Sequence, residues 1–142
     1  MKLNVKLTEG APMPAHAKPG DAGLDLTSRE SVELWPGHSA FVSTGVSIEI
    51  PEGHVGLVFP RSGLACKHGI VLKNAVGVID SGYRGVIKAP LHNIGERSYQ
   101  VEVGERICQL VVVPFMQFEC VEVDDLSDTE RGEGGFGSSG RR

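Results

Sequence analysis

Residues 46–59 read VSIEIPEGHVGLVF, and they contain two short apolar runs joined by a turn signal at residues 51–53. In the first run, apolar Val and Ile residues alternate with Ser47 and Glu49. Successive side chains of a β-strand point to opposite faces, so this alternation predicts a half-buried strand with one face in solvent. The turn signal is Pro-Glu-Gly, and because Pro presets φ and Gly tolerates a positive φ, we expect it to connect two strands.

Similar apolar runs recur along the 142 residues, separated by turn signals. The predicted strands are residues 3–7, 24–26, 32–34, 40–43, 46–50, 54–59, 70–72, 77–79, 86–89, 107–113 and 118–123. A single helix is predicted at residues 62–68, with Ser62 as its N-cap and Gly69 as its C-cap. The 19 glycines and 8 prolines favour many turns. Together these patterns predict an all-β fold of the sandwich or jelly-roll kind.

The composition changes near the C-terminus. Residues 119–130 are acidic, and residues 131–140 read RGEGGFGSSG, which cannot pack a core. We therefore predict one domain over residues 1–126, followed by a flexible glycine-rich arm over residues 127–142. A disordered end is the alternative for such a tail. Arg131 and Phe136 favour a ligand-binding arm, because they supply a cation and a stacking surface among glycines whose N–H groups can approach a ligand closely.

Charge and cysteine content restrict the partners of the chain. The formal net charge is -4, so no global positive field recruits nucleic acid, and an anionic substrate must be held by local cations and backbone N–H groups. The three cysteines, Cys66, Cys108 and Cys120, have no metal-ligand spacing, and their odd number suits a reducing compartment. The sequence shows neither a signal peptide nor a long apolar run. We expect a cytoplasmic protein with no membrane or nucleic-acid partner.

Five segments of the sequence carry a more specific signal through their order. They are residues 22–26 (AGLDL), 60–65 (PRSGLA), 77–85 (GVIDSGYRG), 104–110 (GERICQL) and 131–140 (RGEGGFGSSG). In this order, and over nearly the whole chain, they resemble the five motifs of the trimeric dUTPase (deoxyuridine 5'-triphosphate nucleotidohydrolase) family. The resemblance implies a jelly-roll or distorted β-barrel fold of the β-clip-like dUTPase kind.

The resemblance also implies an activity. Members of the family hydrolyse dUTP to dUMP and pyrophosphate with Mg²⁺, which limits uracil incorporation into DNA and supplies dUMP for dTMP synthesis. The implied enzyme is a homotrimer with shared active sites. Two alternatives remain open from the residues alone: a dCTP deaminase-like enzyme, and a noncatalytic nucleotide-binding regulatory trimer.

The segment around the predicted helix start has the chemistry of an anion site. Free N–H groups and the positive end of the helix dipole would point to one spot, beside the guanidinium of Arg61 and the hydroxyl of Ser62. A plain helix cap with a surface arginine is the alternative. The resemblance implies that Arg61, Ser62 and Gly63 bind the triphosphate.

Residues 74–88 predict a β-hairpin around a turn at Ser81-Gly82, and its exposed edge would offer backbone donors and acceptors to a base. Asn74 is the available side-chain amide. The resemblance implies that uracil binds here and that Tyr83 packs on the deoxyribose, although Tyr83 could instead cover a core edge. The predicted substrate-binding residues of this segment are Asn74, Val78, Ile79, Tyr83 and Lys88.

Asp80 is the predicted catalytic base, since a carboxylate can orient and deprotonate the water that attacks the α-phosphorus. The alternative for this residue is a turn-forming aspartate. The resemblance assigns Gln109 to a phosphate and the attacking water, although neighbouring backbone groups could instead satisfy this buried amide. It assigns Asp25 to the surroundings of the hydrated ion, although Asp25 could instead be a turn residue at a strand edge. We predict no protein metal ligands, because Mg²⁺ is usually held through substrate phosphates and water. Glu105 and Arg106 are expected to form a structural pair or network.

The glycine-rich arm supplies the last predicted contacts. The resemblance implies that Phe136 lies over the base and that Arg131 binds the terminal phosphate. Gly137 and Ser138 would wrap the remaining phosphates. Closure of such an arm would expel water from the site and align the triphosphate.

Overall fold

The structure is a computed structural model, and it describes residues 2–135. Within that range the chain forms eleven β-strands and one α-helix. They are β1 (Asn4–Leu7), β2 (Leu24–Thr27), β3 (Val32–Leu34), β4 (Ser39–Ser43), β5 (Val46–Glu49), β6 (His54–Pro60), α1 (Ser62–His68), β7 (Ile70–Leu72), β8 (Gly77–Ile79), β9 (Lys88–Asn93), β10 (Tyr99–Val101) and β11 (Arg106–Pro114).

All of the strand pairs are antiparallel, and most join distant parts of the chain. The largest sheet has the strand order β2-β11-β6-β8, and a second sheet has the order β4-β9-β7. Two further pairs are β1-β5 and β10-β3. This arrangement, with one short helix, confirms the predicted all-β, jelly-roll-like fold.

One continuous core lies beneath these strands. Its members come from most of the strands, and Leu26, Ile107 and Leu110 are each no more than 1% exposed. The alternation that predicted β5 holds for its apolar residues, which are buried, and for Glu49, which is exposed. Ser47 differs, since only 9% of it is exposed. The outer face of β5 is therefore partly covered.

Helix α1 occupies the predicted residues, but its first cap differs from the prediction. The N-cap is Arg61, in an extended conformation, and no side chain caps the helix. Ser62 is thus the first helical residue, so the prediction of Ser62 as N-cap was wrong by one position. Gly69 ends the helix as predicted, with a left-handed φ of 70°. A Cβ at Gly69 would lie 2.6 Å from the Gly95 nitrogen, so the close approach also requires glycine.

The predicted hairpin over residues 74–88 is not formed. β8 pairs with β6, whereas β9 begins at Lys88 and pairs with β4 and β7 in the other sheet. Residues 80–87 form a loop between the two sheets. The prediction was wrong because both runs find partners that are distant in sequence. The turn itself is present, since the Tyr83 N–H donates to the Asp80 carbonyl at 3.0 Å.

The predicted and observed strands differ at two further places. β10 was not predicted, and residues 118–123 form no strand. The latter segment is exposed in this single chain, with Phe118 74% and Val121 73% accessible. An alternating apolar run needs a strand partner and a covering surface, and residues 2–135 of one chain provide neither for this segment. The described residues also contain no helix with the length and apolar character needed to cross a membrane.

Candidate functional site

Three of the five sequence segments meet in one cleft, which we call the anion cleft. Its volume is about 350 Å³. The sheet order brings these segments together, because Gln109 of β11 lies opposite Asp25 of β2 on one side and opposite Phe59 of β6 on the other. The cleft is lined by Ala17, Asp21, Ala22, Gly23, Asp25, Arg61, Ser62, Gln109 and Val111.

Asp25 holds two arginines at this cleft. Its Oδ1 lies 3.0 Å from the Arg61 Nε, and its Oδ2 lies 3.0 Å from an Arg106 Nη1. The Asp25 side chain is 14% exposed and that of Arg61 is 27% exposed. Arg106 is not among the residues that line the cleft, and Asp21 adds a second carboxylate to the lining, so an anionic ligand would depend on the Arg61 guanidinium and on backbone N–H groups.

Glu105 and Arg106 do not pair with each other, although each belongs to a polar network, as the alternative in the prediction allowed. Glu105 instead accepts a hydrogen bond from the Tyr99 hydroxyl and another, at 3.1 Å, from the Glu102 N–H. Neighbouring residues of an extended chain point to opposite sides, so adjacent positions seldom pair. Sequence reasoning therefore missed Arg106 as the second partner of Asp25, and its spacing of 81 positions from Asp25 gives no local signal.

Gln109 is half-buried and fixed by the backbone. Its Nε2 donates to the Pro60 carbonyl at 3.1 Å. Its Oε1 lies over Gly23, where an added Cβ would be only 2.5 Å away. Any larger residue at position 23 would displace the amide. The backbone partner considered from the sequence is thus present, and Gln109 nevertheless lines the anion cleft.

The first turn of α1 completes this cleft. With no side-chain cap, the first N–H groups of the helix have no intrahelical acceptor. Ser62 and Gly63 are exposed there, and a Cβ at Gly63 would meet no atom within 4 Å. The turn therefore offers accessible backbone donors beside Arg61.

A second group of predicted site residues lies on β8 and on the loop of residues 80–87, which we call the β8 loop. β8 is an edge strand of its sheet, and Val78 on it is 62% exposed. Asp80 is exposed directly after β8. Tyr83 is 42% exposed, and its hydroxyl donates to the Val86 carbonyl at 3.1 Å. A Cβ at Gly85 would lie 2.5 Å from the Tyr83 oxygen, so the ring rests against this glycine.

Asn74 precedes β8 in a tight turn. Its neighbour Ala75 has a φ of 61°, which is unusual for a residue with a side chain. The Ala75 N–H donates to the Leu72 carbonyl, and the Val76 N–H donates to the Asn74 carbonyl at 2.6 Å. The side chain of Asn74 is exposed beside the β8 edge.

The anion cleft and the β8 loop lie apart within one chain. Ile79 of β8 pairs with Gly56 of β6, whereas Gln109 of β11 pairs with Phe59 of β6. The strands β8 and β11 therefore lie on opposite sides of β6. Three residues of strand correspond to about 10 Å, and two strand spacings correspond to about 10 Å in the perpendicular direction. Asp80 lies one residue beyond Ile79. Within one chain, Asp80 and Gln109 are therefore too far apart to contact the same atom of a substrate.

The remaining predicted residues are more scattered. Lys88 is exposed at the start of β9, opposite Ser43 in the second sheet. Arg131 is exposed, and its Nε donates to the Gly134 carbonyl at 2.9 Å. Phe136, Gly137 and Ser138 lie outside the described residues.

Comparison with known proteins gives one family. The family model described as dUTPase matches residues 9–140. A deoxyuridine 5'-triphosphate nucleotidohydrolase of Cutibacterium acnes is 54% identical over 129 residues, covering 90% of this chain and 85% of that protein. The enzyme of the same name from Alcanivorax borkumensis is 47% identical over 143 residues, covering 99% of this chain and 95% of that protein.

Solved structures show the same similarity. The dUTPase of Staphylococcus bacteriophage 80alpha with dUpNHpp has a TM-score of 0.91 and 38% identity, with 98% of each chain covered. A mutant dUTPase from phage phi11 of S. aureus, described with the coordination of a structural Mg(II) ion, has a TM-score of 0.81 and 32% identity. It covers 88% of this chain and 98% of that one.

Proposed function

This chain belongs to the dUTPase family and hydrolyses dUTP, and we propose that each active site combines the anion cleft of one chain with the β8 loop of another. The observation that carries this proposal is the separation of Asp80 from Gln109 across β6. A site that needs both residues at one substrate requires a second copy of the chain. A homotrimer with shared active sites meets this need.

The anion cleft is proposed to hold the triphosphate. Arg61 would bind phosphate oxygens through its guanidinium, while Ser62 and Gly63 would donate their N–H groups from the open first turn of α1. Asp25 fixes the Arg61 guanidinium through the 3.0 Å ion pair, so it would act on the phosphates through that arginine. The predicted role of Asp25 near a hydrated ion remains a prediction.

The β8 edge is proposed to recognise uracil. The base presents an N3–H donor between two carbonyl acceptors, which the backbone at Val78 and Ile79 and the amide of Asn74 can match. Tyr83 would lie against the deoxyribose and leave no space for a 2′-hydroxyl. A pocket that cannot accommodate an added group discriminates more strongly than a pocket that only loses a contact. Lys88, in the second sheet, would contribute only from the periphery.

Asp80 is proposed to activate the attacking water. The water oxygen forms a bond to the α-phosphorus while the bond to the α,β-bridging oxygen breaks, and pyrophosphate leaves with that oxygen. The proton of the water passes to the Asp80 carboxylate. Gln109, held by the Pro60 carbonyl, would orient a phosphate oxygen and the water from the anion cleft of the neighbouring chain.

The dUTPase family generally uses Mg²⁺. Within residues 2–135, no group of three or more His, Cys, Asp or Glu side chains is placed to hold a metal ion, and both oxygens of Asp25 are engaged by arginines. These residues fit an ion that is held mainly by substrate phosphates and water. When bound, the ion would neutralise phosphate charge. The chain itself supplies the donors that orient the phosphates.

The C-terminal part is proposed to contact a neighbouring chain. Residues after β11 expose large apolar side chains, including Phe115, Phe118 and Leu126, the last 86% accessible. Such a surface is typical of contact with another chain. Residues 127–142 would then form the arm that closes over a site, with Arg131 at the terminal phosphate, Phe136 over the base, and Gly137 and Ser138 along the phosphates. We also propose a cytoplasmic location, which the three free cysteines support.

Complementation between two inactive variants tests the shared site. Asp80→Asn and Arg61→Gln are each expected to be nearly inactive as homotrimers. When the two are co-expressed, about a quarter of the sites would pair an intact cleft with an intact loop. Recovery of dUTP hydrolysis at that level is the expected result. An absence of recovery in trimers shown by mass spectrometry to contain both variants would place the whole site in one chain.

A substrate panel addresses the reaction in the same preparation. The protein would be incubated with dUTP, dCTP, dTTP and UTP while pyrophosphate and ammonia are followed. Pyrophosphate from dUTP alone is expected. Ammonia from dCTP would indicate a deaminase, and tight dUTP binding without pyrophosphate would indicate a noncatalytic regulator.

A further inference from the structure

Arg84 makes three contacts on the β8 loop and its support. Its Nη1 donates to the Ser81 carbonyl at 2.6 Å and to the Tyr83 carbonyl at 3.0 Å. Its Nη2 lies 3.2 Å from the Glu49 Oε1. The planar guanidinium can make these bonds together because its donors are fixed relative to one another. The side chain therefore ties the two carbonyls that flank the turn to a residue outside the loop.

Glu49 is itself held in place. It is the last residue of β5, and its Oε2 accepts a hydrogen bond from the Asn4 Nδ2 at 2.7 Å. Asn4 and Glu49 are opposite each other in the β1-β5 pair. The Asn4 hydrogen bond and the Arg84 charge lower the pKa of Glu49, so the carboxylate stays ionised to a lower pH than a free glutamate does. The β1-β5 pair thus provides a fixed anchor for Arg84.

The β8 loop has few other supports. None of residues 80–87 belongs to a strand. The remaining hydrogen bonds described within residues 80–86 are the turn bond from the Tyr83 N–H to the Asp80 carbonyl and the bond from the Tyr83 hydroxyl to the Val86 carbonyl. Both lie inside the loop. Among the described backbone hydrogen bonds, the loop is joined to the β4-β5 region only at its last residue, where the Ile87 N–H donates to the Val46 carbonyl at 2.8 Å and the Ile87 carbonyl accepts from the Thr44 N–H at 3.1 Å.

The solvent exposure of the Glu49–Arg84 ion pair limits its contribution to folding stability. The Arg84 and Glu49 side chains are 54% and 50% exposed, and exposed ion pairs contribute little to folding stability. A contribution of that size is small for the fold. It is large enough to select one arrangement of residues 80–86, for which no backbone hydrogen bond to a strand is described.

We propose that Asn4, Glu49 and Arg84 form a clamp that positions the β8 loop for substrate selection and water activation. This inference rests on the proposed function, in which Tyr83 contacts the deoxyribose and Asp80 the water. The three clamp residues touch neither group of the substrate in this assignment. They are positioning residues, and they act through the Ser81 and Tyr83 carbonyls.

The principal test is Arg84→Gln, compared with Arg97→Gln as a matched control. Arg97 is exposed, and no ion pair or hydrogen bond of its side chain is found in the described part of the chain. For Arg84→Gln we expect about a tenfold lower kcat/KM on dUTP, because catalysis is sensitive to small misplacements of reacting groups. The ratio of kcat/KM for dUTP over UTP should fall, which a general loss of folded protein would not cause. The control should match the unaltered enzyme in both.

Amide hydrogen exchange at Tyr83, whose N–H donates to the Asp80 carbonyl, measures the order of the loop independently of the chemistry when no nucleotide is present. Faster exchange in Arg84→Gln with an almost unchanged Tm is expected. Unchanged exchange together with an unchanged dUTP over UTP ratio would overturn the proposal. If Asp80→Asn kept full turnover, the proposed catalytic role would fail, whereas the exchange experiment would still report on the clamp.

Three further variants separate the ion pair from the carbonyl bonds. Glu49→Gln keeps the donors on the two carbonyls, so we expect a smaller loss, about threefold in kcat/KM. Arg84→Lys keeps the charge but loses the fork of donors, and it should lie between Arg84→Gln and the unaltered enzyme. The exchanged pair Glu49→Arg with Arg84→Glu restores opposite charges without donors to Ser81 and Tyr83. Full activity in that double variant would overturn the clamp.

Discussion

The anion cleft and the β8 loop reach their geometry by different physical means. In the cleft, Asp25 and Gln109 are placed by strand pairing within the β2-β11-β6 part of one sheet, Arg61 directly follows β6, and Asp25 is only 14% exposed. In the loop, Asp80 and Tyr83 lie between two sheets and depend on a few exposed polar contacts. Substitutions in the cleft should therefore affect stability and activity together. Substitutions in the loop should affect selectivity or turnover with little effect on stability.

The largest expected effect is at Asp80. Asp80→Asn should lower kcat by about 10³-fold, because general base catalysis contributes 10²–10⁴-fold. Affinity for a nonhydrolysable dUTP analogue and the Tm should stay close to the starting values, since the side chain is exposed. Steady-state kinetics and calorimetric binding measure the two quantities. Glu96→Gln, at another exposed carboxylate, serves as the control, and a fall of Tm in Asp80→Asn would break the distinction between the two regions.

A substitution in the cleft should change several properties together. Asp25→Asn removes the charge that holds Arg61 and Arg106, and we expect kcat/KM on dUTP to fall by about 100-fold through misplaced phosphate contacts. The free energy of unfolding should fall by about 1–3 kcal/mol, because the Asp25 carboxylate is only 14% exposed and its neutralisation leaves two guanidinium groups without a charged partner. Urea unfolding and kinetics on the same preparation test this. A variant with unaltered KM and kcat would show that Asp25 does not position Arg61.

A pair of glycine substitutions compares the two regions directly. Neither Gly23 nor Gly85 has a positive φ, and an added Cβ would lie 2.5 Å from a side-chain oxygen in each case, that of Gln109 or of Tyr83. Gly23→Ala should displace a half-buried amide and lower stability by about 1 kcal/mol, with about tenfold lower kcat. Gly85→Ala should move an exposed ring, leaving stability unchanged while the preference for dUTP over UTP falls about tenfold. Equal losses of Tm in the two variants would contradict this contrast.

The smallest expected effect on activity concerns Cys108, behind the anion cleft. Burial, together with the charge of Asp25, raises the pKa of its thiol to about 12. Because this pKa is raised on folding, the associated stability is complete below about pH 9, the ordinary thiol value, and is lost as the pH rises toward 12. At pH 8 a thiol reagent should therefore modify the exposed Cys66 and Cys120 but not Cys108, as peptide mass spectrometry can measure. Modification of Cys108 in the folded protein would show that β11 separates transiently from its neighbouring strands.

Much of this molecule was predictable because the informative signals are local. Most strands appear at the predicted positions, since alternation and turn residues act within a few positions, and β7 matches in both bounds. The segments of the anion cleft also contain the residue types that an anion requires. Their meeting in one cleft was implied by the family resemblance alone, because strand order is not a local property.

The features that sequence analysis missed depend on distant pairing. In the sequence, β8 and the predicted run of residues 86–89 resemble the two strands of a hairpin. The sequence pattern does not show that each of them pairs with a different, distant strand. Arg106 and Asp25 are 81 positions apart, and Arg84 and Glu49 are 35 apart. No periodicity connects such positions. The apolar residues at 118–123 were predicted as a strand because the pattern is suitable, but a pattern does not supply the partner strand.

The left-handed backbone of Ala75 has a thermodynamic consequence for nucleotide binding. Holding an alanine at a φ of 61° costs about 1 kcal/mol of conformational free energy. The surrounding turn imposes this conformation during folding, before any nucleotide binds. Asn74 thus belongs to a segment with few alternative conformations to lose when it meets a base. Calorimetry with the nonhydrolysable dUTP analogue should accordingly give a less unfavourable binding entropy for the unaltered enzyme than for Ala75→Gly. In that variant the backbone regains its freedom in the unliganded state.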